Sequence, residues 1–274
     1  MKQDQWNKLF TSWQNDNQTM DTTTSGNDKP SSFKKLKSLF GATQTDQTET
    51  REVTELPGTE LELKQYFLDQ IYPIQLKWAT STVTDVSMTD QNYEHDKTLK
   101  FFLQRLSDIY LVMYYPIFNI KQAPVDGDII LISPVGIEII YLIEESEDTT
   151  IFAGDNRIWT TEKDYVKTNM ISPMIALKRT EHVVKSILKK YDIDVPIYKT
   201  ILSRKNNIVF SDEPYMTRIV GRFQYEDWFL SKRRLTSTLK SWQLKAADVL
   251  LSYCLTTAVK RPEWEEKDGD IDNL

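Results

Sequence analysis

Cysteine occurs once in this chain, at Cys254, and histidine twice, at His95 and His182. A single thiol excludes an internal disulfide and a cysteine-based zinc cluster. Two histidines far apart in sequence argue against a His-based metal site or a Ser-His-Asp triad. No phosphate-cradling P-loop, dinucleotide fingerprint or Cys/His metal spacing is present, so small-molecule cofactor chemistry has no positive support. No run approaches the roughly 18 apolar residues that a membrane span requires, and the N-terminus lacks a continuous apolar segment of the export type. The expectation is a cytoplasmic protein with no transmembrane segment. Basic residues are not in excess either: 34 Lys and Arg stand against 40 Asp and Glu, for a formal net charge of -6. That balance counts against indiscriminate nucleic-acid binding, though a local basic surface is compatible with it.

Hydrophobic residues make up 40% of the 274 and charged residues 27%, the proportions of an ordinary globular chain. The length suits one well-buried domain with appendages, or two small domains. Residues 1–55 are of another kind, rich in Gln, Thr, Asp, Asn and Ser and poor in branched aliphatics. Such a stretch buries too little apolar surface to offset the entropy of ordering it, so a disordered tail is expected. Two islands interrupt it. Trp6, Leu9, Phe10 and Trp13 share a helical face, and Phe33, Leu36, Leu39 and Phe40 form a stripe beside Lys34, Lys35 and Lys37. Trp6, Phe10, Trp13, Phe33, Leu36 and Phe40 are therefore candidate contacts for a protein partner or an anionic surface. The competing reading has them packing back on the chain's own domain.

From residue 56 the pattern becomes that of a folded protein. Residues 56–93 are read as an N-terminal helix, Leu61 to Ile71, followed by a linker with a short strand or ordered loop, packed on the core. Leu99, Phe102, Leu103 and Leu106 recur at helical spacing within Glu94 to Asp108. Three strand-like runs follow: Ile109 to Phe118, DIILIS, and IEIIYLIE after the turn PVG. TTIFAGDNRIWTT reads as two short strands joined at Gly154-Asp155-Asn156. A long helix then opens with Ser172 as N-cap and Pro173 at the first position, its buried stripe being Leu177, Val184, Ile187, Leu188 and Tyr191. VPIYKTIL and NNIVF are further strands. Residues 222–260 form a helical extension with Trp242, Ala246, Val249 and Tyr253 along one face, and 261–274 are an acidic tail.

The strings DIILISPVGIEIIYLIE, ISPMIALKRTEHVVKSIL and VPIYKTILSRKNNIVF, with IWTT between the first two, resemble the NERD (nuclease-related domain) family. The likeness covers roughly residues 94–211. It implies an α/β fold with a restriction-endonuclease-like αβββαβ core, a mixed sheet flanked by helices, within a domain spanning 94–221. Active members of the wider PD-(D/E)XK superfamily hydrolyse phosphodiesters. Two carboxylates on adjacent strands hold a divalent ion that activates water, and a Lys two places beyond the second assists. An acid on the first helix often completes the site.

Carried over by that resemblance, Asp128 takes the place of the strand Asp and Asp96 that of the helix acid. Counting from Gly136, Tyr141 occupies the Glu position and Ile143 the Lys position. A neutral Tyr is a poor Mg2+ ligand and Ile has no donor, so the site is expected to be degenerate. Glu145 shares the strand parity of Tyr141 and is the candidate for a migrated carboxylate, against the reading that Glu144 and Glu145 lie in a solvated loop. Asp128 beside Gly127 and Asp126 also reads as a turn former, and Asp96 as a solvated acid at a helix start. Arg204, Lys205, Lys232, Arg233, Arg234 and Lys240 are the candidate phosphate contacts, against the alternative of a solvated helix surface. The leading expectation is a non-hydrolytic NERD-like binding or scaffolding module without cofactors, engaging a protein through its tail or nucleic acid through these bases. The alternatives are an active Mg2+-dependent nuclease built on Asp96, Asp128 and Glu145, and a membrane-surface or assembly factor recruited by the tail. The oligomeric state is not legible from the sequence.

Overall fold

A computed structural model describes residues 5–11, 13–14 and 58–261, apart from 83, 89, 155 and 156. The second aromatic island (Phe33, Leu36 and Phe40), the turn residues Asp155 and Asn156, and the acidic tail beyond Arg261 lie outside the described residues. The chain divides into two compact units, Met1–Ala79 and Thr80–Leu274.

In the first unit, residues 5–11 and 13–14, the island read as sharing one helical face, are helical. Helix α1 (Glu60–Thr80) presents Leu63, Phe67 and Ile71 at four-residue intervals, and Leu9 packs among them. Trp6 stacks on Phe10 with centroids 5.4 Å apart, Phe10 on Trp13 at 6.0 Å, and the edge of Trp6 meets Phe67. Trp6, Phe10 and Trp13, offered as partner contacts, are thus engaged within their own unit. α1 continues nine residues past Ile71, through Pro73. Proline removes one backbone hydrogen bond there, and burial of Ile71, Tyr72 and Leu76 outweighs that loss.

The second unit begins with β1 (Asp85–Ser87), then two helices, α2 (Asn92–His95) and α3 (Lys97–Arg105). Strands β2 (Leu111–Met113), β3 (Ile117–Ile120), β4 (Ala123–Asp126), β5 (Ile129–Ser133) and β6 (Gly136–Leu142) follow. The long run from Ile109 is therefore two strands, with β3 and β4 forming their own hairpin. Its two-residue turn, Lys121-Gln122, has positive φ at both positions, a conformation for which the sequence carries no glycine signal. Next come β7 (Thr150–Phe152), β8 (Ile158–Lys163), β9 (Val166–Ile171), α4 (Pro173–Lys189), β10 (Ile197–Leu202), β11 (Asn207–Val209) and β12 (Thr217–Val220). Helices α5 (Arg222–Arg234) and α6 (Ser241–Ser252) and strand β13 (Ala258–Lys260), paired with β1, complete it.

The main sheet has the order β12-β10-β6-β5-β2. β5 is antiparallel to both β2 and β6, whereas β6, β10 and β12 run parallel. Every residue of β5 is buried, as are the first five of β6, because helices cover both faces. On one face Ile130, Ile132, Ile137, Ile139 and Ile201 join α4 and α6 through Leu177, Val184, Ile187 and Leu250. On the other, Ile129, Leu131, Ile140 and Leu202 meet Phe102 of α3 and Trp228 of α5. A second sheet, β11-β7-β8-β9, contributes Ile151, Trp159 and Ile208 to the first face.

α4 begins as its sequence signals require, with the Ser172 hydroxyl accepting from the Met174 N–H and Pro173 at the first position. Tyr191, assigned to its buried stripe, lies beyond the helix end and is exposed. The extension after Arg222 is two helices broken at 235–240 rather than one continuous run.

Gly136 fixes the entry into β6. Its φ is +147°, and a Cβ there would stand 2.7 Å from the Pro196 carbonyl oxygen. Gly136→Ala is expected to cost more than about 2 kcal/mol of stability, measured by urea denaturation.

Candidate active site

The antiparallel pairing of Ile129 with Ile140 carries the next pair, Asp128 and Tyr141, side by side on one face of the sheet. The pairing of Met113 with Ile130 likewise directs Tyr115 toward Asp128 from the other side, and Tyr115 adopts a left-handed φ of +47°. Asp128 is therefore the middle of a row with a tyrosine on each flank.

Asp128 is only 6% exposed. The Thr180 hydroxyl of α4 donates to its Oδ2 at 2.7 Å and accepts from its backbone N–H at 3.2 Å. The turn-former reading of Asp128 is thus corrected, since this residue ties the start of β5 to α4. Burial raises its pKa, opposed by the Thr180 hydrogen bond and the positive charge of Arg179. Burial together with the charges of Asp128 and Glu145 raises Tyr141 above an ordinary phenol, so it stays neutral and ligates poorly. Ile143 is buried in the core cluster beneath α4.

The other acids are drawn elsewhere. Asp96 is an N-cap: its Oδ1 accepts from the Thr98 and Leu99 N–H groups, and Tyr114 donates to its Oδ2 at 2.7 Å. It is therefore half-buried and bonded, not the freely solvated acid of the sequence reading. Glu144 forms a bidentate pair with Arg204, whose Nη2 lies 2.9 Å from Oε2. Glu145 is exposed, and β6 ends before it, at Leu142. Its backbone N–H donates to Asn206 Oδ1, while the Asn206 amide donates to the Ser146 and Thr149 carbonyls. Asn206 thereby closes this end of the sheet.

Mg2+ takes oxygen ligands, typically one or two carboxylates with waters and phosphate oxygens. Among the described residues, no group of three or more His, Cys, Asp and Glu side chains is placed to hold a metal ion. The residues around Asp128, two neutral phenols, a threonine and an isoleucine, do not fit a divalent ion. The arrangement of Asp96, Asp128 and Glu145 as shared ligands is accordingly not assembled.

The six candidate phosphate contacts do not form one surface. Arg204 and Lys205 both approach Glu144, and the Arg204 guanidinium lies over the Phe101 ring. Lys232 turns inward onto Glu138, Lys240 donates to the Pro134 carbonyl, and Arg233 lies over Phe229. Arg234 ends the same helix, α5.

Sequence reasoning missed Glu138, which lies at the opposite end of β6. Its Oε1 accepts from Thr200 at 2.6 Å and from the Trp228 indole at 3.1 Å, and Lys232 donates to Oε2. An acid inside the isoleucine run IEII is the one local sign that a charge is being buried and must find partners. Burial pushes the Cys254 thiol up to about 11, which disfavours the thiolate at neutral pH.

No protein-family model, curated protein or solved structure matches the chain. Among the described residues, no helix is long and apolar enough to cross a membrane.

Two predictions follow from the buried charges. Because the folded-state pKa of Asp128 is raised, its protonated form favours folding, and that contribution fades as pH rises through the folded pKa. Asp128→Asn, which keeps an acceptor for Thr180, is expected to raise Tm at neutral pH. The gain should shrink as pH falls toward the ordinary carboxylate range, as read by calorimetry across pH. Lys232→Met leaves Glu138 buried without its cation and is expected to cost about 3–5 kcal/mol in a denaturation curve.

Proposed function

We propose that this chain is a NERD-like, restriction-endonuclease-like fold that has lost hydrolysis and serves as a binding or scaffolding module. The topology supports this reading. Among the main sheet and the helices that cover it, α3, β2, β5, β6, α4 and β10 follow the order αβββαβ, with the β3-β4 hairpin inserted after β2 and the strands β7, β8 and β9 inserted after β6. The observation that carries it is the register. It sets Tyr141 beside Asp128, where the second carboxylate would be required, and Ile143 in the core, where the lysine would be required. The chemistry needs a charged donor set at those two places and finds a neutral phenol and an alkyl chain.

A protein partner is favoured over nucleic acid. Three of the six candidate bases, Arg204, Lys232 and Lys240, spend donors on the chain's own oxygens. The charge balance is also acidic. Counterion release from phosphates needs several free cations on one face, which this arrangement does not supply.

The deciding experiment incubates the purified chain with single- and double-stranded DNA and RNA in Mg2+ or Mn2+, alongside thermal shift in the same metals. No cleavage and no metal-dependent rise in Tm are expected. Cleavage that Asp128→Ala abolishes would overturn the proposal. Tyr141→Glu restores one carboxylate beside Asp128 and is expected to confer a Mn2+-dependent rise in Tm.

A further inference from the structure

At the end of the sheet away from Asp128, the starts of β6, β10 and β12 and the C-terminal turn of α5 line an open cavity of about 560 Å3. Its walls include Glu138, Tyr198, Thr200, Tyr215, Arg218 and Lys232. This volume is of the size that holds a small organic ligand.

The hydrogen-bonding groups of this cavity divide unevenly. Its acids are largely spent: both oxygens of Glu138 accept from Thr200, Trp228 and Lys232, and Glu213 Oε1 accepts from the Ile219 N–H. Its cations retain capacity. Lys232 uses one of its three donors on Glu138, and the Arg218 guanidinium makes no hydrogen bond or ion pair among the described residues. A guanidinium without a partner among the described residues, lining the same cavity as an ammonium with two spare donors, suits a doubly or triply coordinated anionic oxygen group. Two aromatic residues line the same cavity. Tyr215 is 90% exposed in the loop before β12, and Tyr198 lies across Gly136, where a Cβ would come within 3.1 Å of its ring. Neither tyrosine hydroxyl has a partner among the described residues, and the exposed ring of Tyr215 offers a stacking surface for a planar heterocycle.

We propose that this cavity binds a nucleoside monophosphate, with the phosphate on Arg218 and Lys232 and the base against Tyr215. The site is built by the buried pair Glu138–Lys232, which holds the ammonium at the cavity wall. It stands independently of the hydrolytic positions, because no residue of the Asp128 row lines it.

Isothermal titration of the full chain with AMP, adenosine and inorganic phosphate tests the assignment. AMP is expected to bind with Kd between about 10 µM and 1 mM, the range its size allows, and at least about tenfold tighter than either fragment. Arg218→Ala should weaken AMP about tenfold or more, and Tyr215→Ala about threefold to tenfold while leaving phosphate binding unchanged. Both side chains are exposed, so both variants keep the fold, which their circular dichroism and Tm verify. Absence of AMP binding at about 1 mM, AMP affinity equal to that of phosphate alone, or undiminished AMP affinity in Arg218→Ala would each overturn the proposal.

Discussion

The pairing of β6 with β5 on one side and β10 on the other is the constraint from which the rest of the second unit follows. Glu138 and Ile139 are neighbours on this strand and face opposite layers. A slip of one residue would drive the carboxylate among Ile130, Leu177 and Val184 and leave an isoleucine facing Lys232. The penalty for burying an unpartnered carboxylate would be several kcal/mol. The register is also held at the strand's entry, where Gly136 supplies a φ of +147° against the Pro196 carbonyl. Ser133 closes the same turn by donating to the Gly136 carbonyl.

Each charge buried in this sheet is answered from a helix. Thr180 of α4 meets Asp128, and the next residue, Glu181, accepts from Lys199 of β10 at 2.7 Å. Burial acts to raise the Glu181 pKa, and hydrogen bonds from Lys185 and Lys199 outweigh it and hold the carboxyl below its ordinary value. On the other face, Lys232 and Trp228 of α5 meet Glu138. Apolar contacts hold the helices against the sheet without fixing their rotation, whereas these polar pairs admit one orientation. The pairs therefore do more to select the packing than to strengthen it.

The sequence shows most where the signal is local. Ser172-Pro173 marks the start of α4, the turn at Gly136 divides β5 from β6, and the isoleucine runs mark strands covered on both faces. It conceals what depends on distant partners. The helix read over Leu61 to Ile71 continues, since tertiary burial carries α1 through Pro73 to Thr80. β9 is polar and largely exposed, so no hydrophobic pattern announces it. Its place comes from pairing with β8 across the Asp164-Tyr165 turn, where both residues adopt positive φ. Of the candidate site, the side-by-side relation of Asp128 and Tyr141 was legible by counting from Gly136. The role of Asp128 was not, because Thr180 lies 52 residues away. The setting of Lys232 was concealed for a similar reason: a lysine on a helix reads as solvated until its buried partner, Glu138, is known.

The two ends of the main sheet differ in what they leave unsatisfied. A hydrolytic centre keeps like charges close and pays in stability for holding them, a cost that a metal or substrate offsets on binding. At the Asp128 end that tension is confined to one carboxyl, whose pKa burial raises: Ile143 fills the core, the tyrosines are neutral, and Arg204 and Asn206 satisfy the adjoining loop internally. At the other end, the Arg218 guanidinium and the two tyrosine hydroxyls belong to residues lining a cavity and have no partners among the described residues, while its buried acid is fully bonded. Groups already bonded within a chain gain little from a ligand, because each new contact replaces an old one. Groups bonded only to water gain the surplus of a charge-assisted bond in a partly dry site. By that criterion, whatever recognition this domain performs through its own sheet belongs at the end where β6 begins, and the end where it terminates serves to hold the strands in register.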